Sequence, residues 1–70
     1  MKKSYHTLGE LLYDLSPFIN QSALARMTGI NQGQMRQYAS GVRNPSKQTI
    51  DKIVNNLNEF GETLANIKME

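Results

Sequence analysis

QSALARMTGINQGQMRQYASG, residues 21–41, is the stretch that decides the fold. It contains two short apolar patterns with helical spacing, separated by Gly29 and ended by Gly41. An asparagine precedes each pattern, where N-caps are favoured, and each glycine stands where a left-handed residue commonly closes a helix. The stretch therefore predicts two short helices, roughly residues 21–28 and 32–40, joined by a tight turn.

The sequence before this stretch predicts another helix. Four leucines follow one helix face: Leu8, Leu11, Leu12 and Leu15. Thr7 and Glu10 have the spacing of a capping box, and Pro17 ends the helix because proline disfavours helical geometry in the residue before it. We expect Phe18 and Ile19 to pack against the bundle as the chain turns.

The sequence after the stretch predicts a fourth helix capped by Ser46. Its apolar face consists of Ile50, Ile53, Val54 and Leu57, with Phe60 and Leu64 as candidates to extend it. Gly61 marks a bend or a break into a short fifth helix. The alternating residues 67–70 fit either a short strand or a fraying tail. The predicted fold is all-α, a compact bundle of four to five short helices forming a single domain over residues 1–70.

Size and composition exclude several classes of protein. Seventy residues make one domain, and the absence of cysteine excludes a disulfide framework and a thiolate metal site. The single histidine, His6, has no partners that would form a catalytic triad or a metal site with it. We therefore expect that the protein is not an enzyme and binds neither a cofactor nor a metal. No apolar run is long enough to span a membrane, and no signal-peptide core follows the basic residues 1–4, which predicts a cytoplasmic protein without a membrane partner.

The net charge of +2 is unevenly distributed. Residues 15–50 contain no Asp or Glu and four cations, Arg26, Arg36, Arg43 and Lys47, whereas the remainder has four lysines against six carboxylates and a charge of −2. This separation favours a positive side suited to phosphate.

The predicted helix 32–40 has two chemically distinct faces. Met35, Tyr38 and Ala39 have the spacing of a core face, and the opposite side consists of Gln32, Gly33, Arg36, Gln37 and Ser40. A glutamine amide pairs well with adenine, and an arginine bridges two acceptors on guanine. This face is suited to reading base edges, although the same glutamines also fit a simple solvated face.

Residues 21–41 resemble the helix-turn-helix of the phage-repressor (Cro-like, XRE) family. The similar features are Gln21 at the first helix start, Leu24-Ala25, Gly29 at the turn, apolar Ile30 and Met35, aromatic Tyr38, and the exit Ser40-Gly41 to Asn44-Pro45-Ser46. With the flanking helices, the resemblance covers about residues 8–64.

The resemblance implies a lambda-repressor-like, five-helix bundle whose third helix enters the major groove of double-stranded DNA. Carried over by position, it implies base contacts from Gln32, Gly33, Arg36 and Gln37. It implies phosphate contacts from Gln21, Asn31, Gln34, Ser40, Arg43 and Asn44, with Gln21 also bracing Gln32. Gly33 departs from the family, where a contacting side chain is common, so that either the backbone approaches DNA closely or one base contact is absent.

The family implies a bacterial or phage transcriptional regulator acting as a homodimer, and whether it represses or activates stays open. Residues 57–69 contain more apolar side chains than a four-helix core needs, and we expect the dimer surface there. Two alternatives stay open. One is the DNA-binding antitoxin of a toxin–antitoxin pair, with a toxin partner on the same segment. The other is a protein-interaction module that has lost DNA binding, against which the acid-free residues 15–50 argue.

Overall fold

The computed structural model describes residues 4–70 and places four α-helices in them: α1 (Leu8–Leu15), α2 (Gln21–Thr28), α3 (Gln32–Ser40) and α4 (Lys47–Ala65). No strand is present among the described residues. This confirms the all-α prediction and the bounds of both helices in residues 21–41. Residues 1–3, which contributed to the expectation of a cytoplasmic protein, lie outside the described part of the chain.

Polar side chains cap the start of each helix, as the sequence predicts. Asn20 accepts a hydrogen bond from the Ala23 N–H at 2.7 Å, and Ser46 accepts one from the Thr49 N–H at 3.2 Å. Thr7 accepts from the Glu10 N–H at 3.2 Å, while the Glu10 carboxylate reaches back to the His6 N–H. In the usual capping box the glutamate accepts from the N–H of the N-cap residue itself. Here it accepts instead from the N–H of the residue before the N-cap.

Gly29 and Gly41 end α2 and α3 in the left-handed conformation, with φ of 73° and 82°. They are the only described residues with positive φ. A side chain in this region clashes with the backbone, so both helix ends favour glycine. The turn between α2 and α3 is therefore set by its sequence.

The core forms where α1 and α2 both pack on α3, and α2 also packs on α4. Its buried apolar members are Leu8, Leu12, Leu24, Ala25, Met35, Tyr38 and Ile53. α1 comes close to α3 at Gly9, where a β-carbon would lie 3.2 Å from the Ala39 carbonyl oxygen. α3 is thus held on two sides, which fixes the direction of its outer face.

Two expectations for the segments at the helix ends need correction, those for Gly61 and Phe18. α4 is continuous through Gly61, so the fifth helix is absent from the described residues, because one helical glycine costs only about 1 kcal/mol in a helix of 19 residues. Of the two alternatives left open for residues 67–70, the short strand is not formed. Phe18 is 84% exposed rather than packed, whereas Ile19 does pack against the core.

Candidate nucleic-acid interface

The N-terminus of α3 is fixed by one side chain. The side-chain oxygen Oδ1 of Asn31 accepts hydrogen bonds from the N–H groups of Gly33 at 2.8 Å and Gln34 at 3.2 Å. Two of the unpaired donors at the helix start are thereby satisfied. The first turn of α3, where the predicted base-reading residues begin, therefore has a defined position.

α3 divides into a buried and an exposed face, as its sequence predicts. Met35 is fully buried and Tyr38 nearly so. The four predicted base-contact residues all lie on the exposed side: Gln32, Gly33, Arg36 and Gln37. The structure brings them together on two turns of one helix, free of acidic neighbours within α3.

Gln32 has a bracing partner on α2. Its side-chain amide donates a hydrogen bond to the Ser22 hydroxyl. The resemblance assigns the bracing of Gln32 to Gln21, but the structure gives it to the adjacent Ser22, while Gln21 is exposed. Sequence reasoning missed Ser22. Ser22 could have been found from its position, because it lies one helical turn before the core residue Ala25. That position places it where α2 crosses α3.

The local structure explains why a glycine is favoured at position 33, apart from any role toward DNA. A β-carbon at this position would lie 3.2 Å from the Asn31 side-chain oxygen, which is a tight contact. That oxygen is close because it accepts the Gly33 N–H. A larger residue at position 33 would therefore press on the cap that fixes the start of α3.

The predicted phosphate-contact residues are mostly exposed around α3. Gln21, Asn31, Ser40, Arg43 and Asn44 are exposed, and the Ser40 hydroxyl donates to the Gln37 carbonyl at 3.1 Å. Gln34 is different, because it is half-buried and its amide donates to the Tyr38 hydroxyl at 3.0 Å. The hydroxyl of Tyr38 is therefore satisfied from within α3, and only part of the Gln34 amide is left for a phosphate.

The positive residues of the acid-free stretch are all exposed. Arg26 borders a shallow depression of about 650 Å³ together with Ser22, Asn31 and Gln32, at the junction of α2 and α3. The site prediction omitted Arg26, although its place in the acid-free stretch was the signal. Lys52, which is not among the predicted site residues, also lies close to this turn, with its ammonium 3.8 Å from where a β-carbon on Gly29 would be.

Other chemistries find little support in the described part of the chain. Residues 4–70 contain no group of three or more His, Asp or Glu side chains placed to hold a metal ion. None of the helices in that range is long and apolar enough to cross a membrane.

A short helix exposes glutamine and arginine side chains, and it is hydrogen-bonded to the preceding helix across a glycine turn. This arrangement defines a helix-turn-helix DNA-binding domain. The helix-turn-helix family model matches residues 19–60, which is more than half of the chain. The chain belongs to this family, of the Cro-like, XRE type, and is a DNA-binding regulator domain rather than a member of an enzyme family. Among curated proteins and solved structures, no significant match is found.

Proposed function

We propose that this domain reads specific sequences in double-stranded DNA as a homodimeric transcriptional regulator of a bacterium or phage, with α3 in the major groove. One observation supports this most strongly. The outer face of α3 combines two exposed glutamines and an arginine, and its first glutamine is held by Ser22. Ordering a side chain before binding reduces the entropy lost when it pairs with a base.

The residues divide into two groups by chemistry. Gln32, Arg36 and Gln37 read base edges, and Gly33 lets the backbone of α3 approach the groove. Gln21, Asn31, Gln34, Ser40, Arg43 and Asn44 contact phosphates, joined by Arg26 at the junction of α2 and α3. Phosphate contacts set the register of the domain on DNA, while base contacts determine the preferred sequence.

Dimerisation would raise the affinity for DNA, because one domain of this size makes few base contacts. Two copies on adjacent half-sites would place their recognition helices roughly 34 Å apart, one turn of the duplex. The exposed apolar residues of the predicted segment 57–69, which are Phe60, Leu64, Ile67 and Met69, support an interface there. We assign this activity to the cytoplasm, where the DNA of such an organism is accessible.

A toxin partner is the second candidate, since the same exposed apolar residues would also suit a different protein. In that case the domain would be the DNA-binding antitoxin of the pair. A neighbouring gene product that co-purifies in fixed stoichiometry would establish it.

The proposed function is tested by selecting bound sequences from randomised duplex DNA at near-physiological salt. Sequence-specific reading predicts enrichment of a palindrome with half-sites about ten base pairs apart. No enrichment, with binding that disappears as salt rises, would contradict specific reading and leave only phosphate attraction.

A further inference from the structure

An apolar groove runs along the molecule between α1 and α4. It has a volume of about 770 Å³. The apolar residues of the α1 side are Leu8, Leu11, Leu15, Phe18 and Ile19, and the residues before α1 add Tyr5, His6 and Thr7. The α4 side is lined by Ile50, Val54, Leu57, Asn58, Phe60, Gly61 and Leu64. Among the described residues that line it, none is an Asp, Glu, Lys or Arg. An exposed, contiguous apolar surface of this kind marks an interaction site more often than scattered apolar residues do.

The groove is open because α4 continues without a bend. Gly61 keeps helical geometry, so residues 61–65 extend α4 instead of turning back over α1. As a result Phe18 is 84% exposed and Leu64 53% exposed on opposite sides of the groove. The chain itself leaves these side chains in water.

We propose that the groove is filled by α4 of a second copy of this chain, packed antiparallel to the first. The proposal rests on the homodimer proposed above and specifies its geometry. It differs from the expectation for residues 57–69 in two respects. The surface includes the leucines of α1, and it is centred near Val54 and Leu57 rather than on the C-terminal residues.

The charges of α4 support a second copy in this orientation. The first half, Lys47–Val54, has two lysines and one aspartate, whereas residues 55–65 have two glutamates as their only charged groups. Antiparallel packing of two such helices brings each positive half against a negative half. Parallel packing would bring like charges together, and like charges across an interface oppose association.

The spacing of the apolar residues supports close packing of the two helices. Ile50, Val54, Leu57, Gly61 and Leu64 recur at intervals of four, three, four and three residues. This is the pattern of the narrow apolar face through which two helices pack. A β-carbon on Gly61 would have nothing within 4 Å in the single chain, so position 61 leaves room for another backbone to approach.

The antiparallel register also predicts a specific ion pair. A two-fold axis between Val54 and Leu57 places Ile50 opposite Gly61 of the second copy. Lys47 and Glu62 lie on the same flank of α4, since fifteen residues advance the helix by about four turns. Lys47 of each copy therefore comes beside Glu62 of the other.

Sedimentation equilibrium of the whole chain without DNA tests this proposal. Val54→Asp is expected to weaken the dimer by about a hundredfold, because the change occurs in both copies of a symmetric interface. Val42→Asp is the matched control, since Val42 is 78% exposed and does not line the groove, and it should leave the dimer unchanged. A wild-type chain that stays monomeric, or equal effects of both variants, would overturn the proposal. Circular dichroism checks that each variant is folded.

A charge exchange tests the orientation with substitutions that leave the apolar core intact. Lys47→Glu alone should weaken the dimer by about threefold to tenfold, and adding Glu62→Lys in the same chain should restore it. Failure of the double variant to recover would rule out the antiparallel register. Since both measurements omit DNA, their failure is distinguishable from failure of sequence-specific DNA reading.

Discussion

The outward faces of α3 and α4 offer partners very different chemistry. α3 exposes the amides of Gln32 and Gln37 and the guanidinium of Arg36, whereas α4 exposes apolar side chains such as Val54 and Leu64. Amides and guanidinium groups suit base edges, and apolar side chains suit another protein surface. This difference fits the two proposals above, in which α3 reads DNA and α4 joins two copies of the chain.

The two helices also differ in how firmly the fold holds them. α3 is short, capped at both ends and packed against both α1 and α2. α4 is more than twice as long, yet Ile53 is its only fully buried side chain, and every described residue from 58 onward is exposed. A reading helix needs a fixed direction, while an association helix needs free surface.

The largest expected effect separates the buried and exposed faces of α4. Ile53→Ala should lower the free energy of unfolding by about 2–5 kcal/mol, because Ile53 is fully buried where α4 packs on α2. Ile50→Ala removes the same atoms from a side chain that is 37% exposed and should cost about 1 kcal/mol or less. Urea unfolding at low protein concentration measures both, and similar losses would contradict the assignment of the two faces.

The next effect concerns the reading face of α3. Gln37→Ala and Gln32→Ala should each cost about 1–3 kcal/mol of binding free energy on the preferred duplex and relax the preference at one base pair. Gln48→Ala on α4 is the control with the same chemical change. Fluorescence anisotropy on preferred and random duplexes measures the difference.

The brace on Gln32 adds a double-variant comparison. Ser22→Ala should lose part of the discrimination that Gln32 provides, and it should add little once Gln32 is already alanine. Additive effects would show that Ser22 does not act through Gln32.

A glycine-to-alanine change is expected to have opposite effects on stability at the end of α3 and within α4. Gly41→Ala should destabilise the fold by about 1–2 kcal/mol, because alanine is strained at its φ of 82°. Gly61→Ala should stabilise the monomer by roughly 0.5–1 kcal/mol, because Gly61 is helical with open space around its β-carbon position. Denaturant midpoints in dilute protein measure both changes, and effects of equal sign would contradict the left-handed end of α3 or the continuity of α4 through Gly61.

The smallest expected effect distinguishes residues that contact phosphates from residues that contact bases. Arg43→Ala should weaken binding to preferred and random duplexes alike and reduce the slope of log affinity against log salt by about one. Lys68→Ala removes an exposed cation at the other end of the chain and should leave that slope unchanged. A loss confined to the preferred duplex would assign Arg43 to base reading instead.

Much of the helix-turn-helix is predictable from the sequence because its signals are local. The caps by Asn20 and Asn31 and the left-handed Gly29 and Gly41 each depend on a few neighbouring residues. The family resemblance adds the roles of the α3 residues, which stay predictions. Local rules therefore locate α3 and its exposed face.

The remaining features depend on contacts between distant residues. The hydrogen bond from Gln32 to Ser22 joins two helices, and the approach of Lys52 to Gly29 requires the folded α4. Gly61 and Phe18 were predicted incorrectly for a related reason. Whether a glycine breaks a helix, or an aromatic ring is buried, depends on the surface that the rest of the fold presents to it.

The central claim, that α3 reads DNA while α4 joins two copies, is tested most directly by repeating the selection from randomised duplexes with two variants. We expect Gln37→Ala to change the base preference at one position of each half-site while the half-site spacing is kept. We expect Val54→Asp to keep the base preferences within a half-site and lose the fixed pairing of two half-sites. If both variants altered the same feature of the selected sequences, reading and association would not reside on separate helices.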